Sequence, residues 1–260
     1  MDLLLYILSG AAVGLAVGLT GVGGGSLMTP LLLLFGFPPH IAIGTDLLYA
    51  SITKASGVIA HHKQKTVDWK IMGSLALGSL PVSAVTVWLL ANYFPSPESY
   101  AHLLTHSLGV MLMLTAGVLL LKSRINKMHA TQDGPVRRFL EQHKYRFTVA
   151  MGVLLGFCVT LSSVGAGAFG AAILLILFPA LSAIRIIGTD LAHAVPLTLI
   201  AGIGHMFLGN VDYQLLAALL VGSLPAIHLG TRLGNRLPNR VLQPILSSML
   251  LGLGIKYAFF

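Results

Sequence analysis

Charged residues are scarce in this chain. Asp, Glu, Lys and Arg together make up 9% of its 260 residues, whereas hydrophobic residues make up 55%. Soluble domains carry about 25% charged residues, so this sequence has too little charge to cover a water-facing surface. Together with a mean hydropathy of +0.85, the composition argues against a soluble protein. It predicts an all-α, polytopic helical membrane protein that sits in a lipid bilayer.

Cysteine is nearly absent, and so are the patterns of common catalytic sites. The single cysteine, Cys158, lies in an apolar run and cannot form an intrachain disulfide. The His, Asp and Cys residues lack the spacing of a metal site, and no G-x-S-x-G nucleophile motif occurs. The sequence therefore predicts neither a metal nor a cofactor. An intramembrane enzyme is the less favoured alternative to a transport protein.

Positive charge exceeds negative charge, with a formal net charge of +8. The excess is concentrated in one loop and lacks the interleaved aromatic residues of a nucleic-acid site, so we expect no nucleic-acid partner. The positive-inside rule predicts that this loop is cytoplasmic. We therefore divide the chain into an N-terminal membrane repeat (1–121), a basic cytoplasmic loop (122–146) and a C-terminal membrane repeat (147–260). The loop cations are Lys122, Arg124, Lys127, Arg137, Arg138, Lys144 and Arg146.

Long apolar runs give about four hydrophobic segments in each repeat. They are 3–35, 41–60, 70–92, 103–121, 147–178, 184–208, 213–231 and 241–259. About 20 residues cross a bilayer, so the first and fifth segments are too long. Both contain glycine clusters, G-V-G-G-G-S at 21–26 and G-A-G-A-F-G at 165–170. Glycine disfavours a helix interior by about 1 kcal/mol, so each long segment is predicted to form two half-helices.

The landmarks of the first half return 144 residues later without a gap. G-T-D occurs at 44–46 and 188–190, and G-S-L-P occurs at 78–81 and 222–225. Duplicated apolar blocks with glycine-broken helices are typical of secondary transporters, whose site lies where the repeats meet. The loop charges favour an inverted second repeat, but four simple spans in each half would orient both repeats alike. The topology is open at this stage.

The first glycine cluster and its surroundings resemble a known family. The run from Gly18 to Asp46, followed by V-D-W at 67–69 and G-S-L-P at 78–81, is similar to the TauE/SafE family of membrane anion exporters over nearly the whole chain. The resemblance implies a secondary transporter in the bacterial inner membrane, exporting sulfite, sulfoacetate or related organosulfonates. An anion channel, or an importer of a different small anion, is the alternative. A homodimer is also left open.

The residue chemistry agrees with an anionic substrate. A helix that restarts after a glycine break exposes unpaired amide groups and about half a positive charge. The alternative is that the glycines only allow close helix packing. Lys54, about two helical turns after Asp46, would add a buried cation. The predicted substrate-binding residues are Gly21, Gly23, Gly24, Gly25, Ser26, Thr45, Lys54, Gly165, Gly167 and Thr189.

The repeated G-T-D motifs place an aspartate inside each apolar half. A carboxylate at membrane depth costs about 2.5–3.5 kcal/mol and indicates a function or a partner. We predict that Asp46 and Asp190 couple transport to protons. The alternative is that they form helix N-caps together with the preceding threonines. His193, three residues after Asp190, is predicted to hydrogen-bond it and to share this role.

Overall fold

The protein is all-α throughout the part that the computed structural model describes, which is residues 2–20, 25–128, 135–234 and 239–259. Ten α-helices and one short 3₁₀ helix (Pro97–Tyr100) occur in these ranges, which confirms the predicted class. The helices are α1 (Asp2–Thr20), α2 (Gly25–Leu34), α3 (Pro39–Lys63), α4 (Trp69–Tyr93), α5 (Ala101–Met128), α6 (Pro135–Ser162), α7 (Ala168–Leu177), α8 (Ala183–Phe207), α9 (Tyr213–Gly234) and α10 (Asn239–Phe259).

Several of these helices suit a membrane. Five helices among the described residues are long and apolar enough to cross one: Trp69–Tyr93, Pro97–Leu121, Glu141–Ser162, Ala183–Phe207 and Tyr213–Gly230. Large apolar side chains such as Leu77, Trp88 and Phe207 are exposed on the outside of the bundle, where lipid would cover them. The chain is therefore a multi-pass membrane protein.

Each of the two overlong apolar segments contains two helices. The segment 3–35 holds α1 and α2, and the segment 147–178 holds α6 and α7. Between α6 and α7, Gly165 and Gly167 have φ angles of +125° and +139°, which residues with a side chain rarely adopt. Helix α7 has ten residues and is therefore about 15 Å long. That is half the thickness of a bilayer core of about 30 Å, so α7 cannot cross it alone.

The basic segment 122–146 is more helical than a loop. Helix α5 continues to Met128 and α6 begins at Pro135, so 129–134 is the part that lies outside the described residues. Lys, Arg, Gln and Leu are good helix formers, and α5 and α6 therefore extend past their apolar parts. The cytoplasmic location of this segment stays a prediction.

Helices α3 and α8 are equivalent by the 144-residue offset and pack against each other in opposite directions. Gly202 lies against Leu48, near the start of α3, whereas Gly57, near its end, lies against Leu191. At the centre, the Ser51 hydroxyl donates to the carbonyl of Val195, its own counterpart in the other half, over 3.4 Å. The contact between these helices therefore has two-fold character about an axis perpendicular to both.

Helices α5 and α10 repeat the same arrangement. Gly109 lies against Ala258, and Gly254 lies against Met113, so the two helices also run antiparallel. The remaining large contacts come in matching pairs, α1 with α9 and α4 with α6. Each long helix of one half thus has its main partner in the other half, and most of the core is an interface between the halves.

Candidate functional site

The two buried aspartates lie well inside their helices. Asp46 is the eighth residue of α3 and Asp190 the eighth of α8. The interpretation of these residues as N-caps is therefore wrong, and Ser182 holds the N-cap position of α8. Helix α3 begins early because Pro39 suits a first turn, where its missing N–H is not needed. Each carboxylate is thus carried two helical turns into the bundle.

The threonines that precede them link the two halves instead. The Thr189 hydroxyl accepts from the amide of Asp68 at 2.9 Å, and the Thr45 hydroxyl accepts from the amide of Asp212 at 3.1 Å. Asp68 in turn caps the start of α4, where its carboxylate accepts from the amide of Lys70. These reciprocal contacts anchor α4 and α9, which favours a structural role for Thr45 and Thr189 over the predicted substrate contact.

Asp46 lies beside the half-helix α2 of its own repeat. One carboxylate oxygen, Oδ2, accepts a hydrogen bond from the Thr29 hydroxyl of α2. The other, Oδ1, has no hydrogen-bond partner among the described residues, although the carboxylate also faces Ser163. Ser163 belongs to residues 163–167, which we call the α6–α7 connection. Asp46 therefore touches a half-helix of one repeat and the helix break of the other.

Asp190 lies against the start of α7. Its carboxylate faces the backbone amide of Gly167, which holds the N-cap position of α7. Its Oδ1 atom lies over Gly170, where a β-carbon would collide with it, and has no hydrogen-bond partner among the described residues. The carboxylate thus occupies the place where Gly165 and Gly167 were predicted to receive a substrate anion.

Lys54 is the buried cation between these carboxylates. Its ammonium donates to the carbonyl of Ala166 in the α6–α7 connection at 3.2 Å and interacts electrostatically with Asp190 and with Asp46. The three charged side chains are 0% (Asp46), 3% (Asp190) and 5% (Lys54) exposed. The counterpart of Lys54 in the second repeat is Thr198, which hydrogen-bonds its own helix. The positive charge in the centre is therefore supplied by the first repeat alone.

His193 does not form the predicted pair with Asp190. Its Nε2 atom hydrogen-bonds the Ser79 hydroxyl of α4 at 2.7 Å, and its Nδ1 atom has no partner among the described residues. A spacing of three residues places two side chains on neighbouring parts of a helix surface, but here the ring turns to α4. In the equivalent place of the other half, Tyr49 faces Ser223. These two serines come from the repeated G-S-L-P motif, which could have pointed to them.

Some predicted site residues cannot be placed with the others. Gly21, Gly23 and Gly24 lie outside the described residues, as does the side chain of Ser26, while Gly25 begins α2. Of the two half-helix starts that were predicted to form the anion site, the structure therefore describes the one at α7. There, two carboxylates and one ammonium sit beside the amides of a helix start. With all three ionised, the cluster carries one net negative charge, so a buried anion needs a compensating proton.

Comparison with known proteins identifies the family of the chain. Residues 6–257 match the sequence profile of the family described as sulfite exporter TauE/SafE. The chain is 39% identical to the probable membrane transporter protein YjnA of Bacillus subtilis, covering 96% of this chain and 97% of that protein. The B. subtilis probable membrane transporter protein YdhB is 30% identical over 88% of this chain and 89% of its own length.

Distant relatives match over similar lengths. The probable membrane transporter protein MJ0441 of Methanocaldococcus jannaschii is 27% identical over 96% of this chain and 93% of its own length. No solved structure matches significantly. The family and these relatives are membrane transporters and not enzymes, in agreement with a buried polar centre inside an apolar helical bundle. This chain belongs to the sulfite exporter TauE/SafE family of membrane transporters.

Proposed function

We propose that this protein is a secondary transporter that exports small sulfur-containing anions, such as sulfite, sulfoacetate or a related organosulfonate, across the bacterial inner membrane. The observation that carries this proposal is the position of Lys54. Its ammonium lies between two buried carboxylates and beside the start of α7, where unpaired amides and the helix dipole favour a negative charge. The name of the family profile agrees with a sulfur oxyanion.

The packing of the two halves supports alternating access. Equivalent helices pack antiparallel in both the α3–α8 and the α5–α10 pair, so the axis that relates them is perpendicular to the helices. For helices that cross a bilayer, such an axis lies in the membrane plane and corresponds to inverted repeats. Rocking one repeat against the other around the central charges would then expose the site to each side in turn.

The burial of the charged side chains in this site argues against a channel. A channel needs a continuous aqueous path, in which charged side chains would face water. Asp46, Asp190 and Lys54 are instead almost fully enclosed by protein. A site closed on both sides is a state that an alternating-access transporter must pass through, whereas an open channel has no need of it.

The proposal predicts that sulfur oxyanions stabilise the purified protein. At 100 times its dissociation constant, a ligand adds about 2.7 kcal/mol to the free energy of unfolding. That corresponds to a rise in melting temperature of roughly 5–10 °C for a protein of this size. Thermal unfolding in detergent, with sulfite, sulfoacetate and ethanesulfonate at constant ionic strength and chloride as the control, measures it. A melting temperature that no anion in the panel changes would contradict the proposal.

We further propose that Asp46 and Asp190 couple this transport to protons. In liposomes that contain ethanesulfonate, an imposed pH gradient is expected to change the anion flux through the wild-type protein. The double variant Asp46→Asn/Asp190→Asn removes both titratable carboxylates while keeping their shape, so its flux is expected not to respond to the gradient. A gradient response that persists in the double variant would show that the coupling protons bind elsewhere.

A further inference from the structure

Among the described residues, the start of α7 is the place near Lys54 that best suits an anion, and Asp190 occupies it. We propose that its carboxylate is a built-in competitor of the substrate: it fills the anion site at the start of α7 and leaves that site when protonated. One proton and one anion then bind together and cross in the same direction, so that export follows the outward concentration gradient of the anion. This inference rests on the proposed function. It also distinguishes Asp190 from Asp46, which occupies the equivalent position of the same motif in the other repeat.

The contacts of the two aspartates carry this distinction. Asp46 is held by the Thr29 hydroxyl of α2. Asp190 faces the Gly167 amide and the bare backbone at Gly170, and its Oδ1 has no hydrogen-bond partner among the described residues. The residue that corresponds to Gly170 in the first repeat is Ser26. A side chain at position 170 would displace the carboxylate, so glycine at this position leaves room for it.

The charges around Asp190 set the sign of the coupling. Lys54 of α3 faces it, and Asp46 faces Lys54 from the same helix. On its own helix, His193 is hydrogen-bonded to Ser79 of α4. From the α6–α7 connection, the backbone amide of Gly167 faces it. An anion that enters while Asp190 is ionised would meet two carboxylates and one ammonium. Proton uptake by Asp190 removes one of these negative charges and frees both the amide and Lys54.

The competitor also indicates the class of substrate. A carboxylate presents a small head of oxygen atoms with a single negative charge, and the substrate that replaces it must satisfy the same amide and the same ammonium. A sulfonate or hydrogensulfite has such a head. Sulfate and doubly charged sulfite bring a second charge that one lysine cannot balance in a dry site. Singly charged sulfur oxyanions are therefore expected to bind in preference to sulfate.

Binding of ethanesulfonate at several pH values tests this inference. This anion stays ionised throughout, whereas sulfite itself takes up a proton near neutrality. Where Asp190 is ionised in the free protein, one coupled proton predicts that the wild-type affinity rises about tenfold for each pH unit lowered. Asp190→Asn is expected to bind at least about tenfold more tightly than the wild type at pH 8, with no pH slope. Asp212→Asn makes the same change at a carboxylate that caps the start of α9 outside this cluster and, as the matched control, is expected to retain the slope.

The outcomes separate this inference from the proposed function. Binding by both the wild type and Asp190→Asn with the same pH slope would overturn the role of Asp190 and leave the transporter proposal intact. A lack of ethanesulfonate binding at every pH, in the wild type as well, would instead count against the proposed function.

A measurement on the wild type guards against a variant that does not fold. In weakly buffered detergent solution with a pH indicator, saturating ethanesulfonate is expected to cause the uptake of about one proton per protein molecule. Binding without proton uptake would overturn the inference regardless of how the variants behave. Asp190→Ser serves as a second variant, since its shorter side chain leaves the site empty where asparagine could still fill it.

Discussion

Replacing Lys54 with glutamine is expected to reduce ethanesulfonate transport in liposomes by at least about 100-fold. Removing one partner of a buried charge cluster costs about 3–5 kcal/mol, because the remaining charges are left uncompensated, and each 1.4 kcal/mol corresponds to about a factor of ten. In Lys54→Gln, the carboxylates of Asp46 and Asp190 would stay buried without the cation that both interact with. The anion would also lose the one ammonium that faces this site from the described residues.

Two controls make this expectation specific. Lys256→Gln removes an exposed lysine that lies over the ring of Tyr257 on α10 and is expected to leave transport unchanged. The double variant Lys54→Gln/Asp190→Asn removes one charge of each sign and is expected to recover thermal stability without recovering transport. Wild-type rates in a folded Lys54→Gln protein would exclude Lys54 from the anion pathway.

Replacing Gly78 with leucine is expected to lower the stability of the protein strongly. Gly78 of α4 lies directly against the backbone of α6 at Val149 and Val153, and Gly156 of α6 lies against Ser79. Small residues of this kind let two membrane helices approach to backbone contact. A leucine would have to force the helices apart, and overpacking of this kind costs about 3 kcal/mol.

The same helix offers a matched control for this prediction. Gly73 is exposed and has no atom within 4 Å of the position that a β-carbon would take. Gly73→Leu therefore makes the same chemical change without a collision and is expected to unfold at the wild-type denaturant concentration or slightly above it, since leucine favours a helix more than glycine does. The measurement is denaturant unfolding of both variants in detergent micelles. Equal midpoints for Gly78→Leu and Gly73→Leu would mean that α4 and α6 do not depend on this contact.

The effect of Gly78→Leu is expected to reach the functional site. Ser79, the next residue, hydrogen-bonds His193 of α8, one helical turn after Asp190. Pushing α4 away from α6 would also shift this contact. We therefore expect the variant to bind ethanesulfonate more weakly even at temperatures at which it remains folded.

The glycine clusters show which features local sequence predicts: the place where a helix breaks, but not the groups that pack against the break. The composition of the second cluster predicted a helix break between α6 and α7, since glycine disfavours a helix interior whatever surrounds it. The sequence could not predict in the same way that the Asp190 carboxylate lies at the start of α7. Asp190 and Gly167 are 23 residues apart in the chain, and Lys54 reaches Ala166 across a separation of 112 residues. Contacts of this kind depend on how the halves pack.

The G-T-D motifs pointed to the right residues but led to a wrong interpretation of their local structure. Their repetition correctly drew attention to two buried carboxylates, but the N-cap interpretation placed the start of each helix too late. In an apolar segment, hydrophobic periodicity carries little information, because lipid-facing and buried positions are both apolar. The predicted apolar segment 41–60 nevertheless begins within two residues of Pro39 and contains Asp46. Because of the same lack of periodicity, the sequence could not predict that the His193 ring points to α4.

The sequence by itself determined the membrane class, the family and the position of the break between α6 and α7. These depend on composition, on motif spacing and on the local cost of glycine in a helix, all of which are properties of neighbouring residues. Only the tertiary structure decided that equivalent helices pack antiparallel, that Thr45 and Thr189 anchor opposite helices, and that Asp190 and not Asp46 lies at the start of α7. Those features arise where the two halves meet, because charged groups excluded from lipid have to find their partners there.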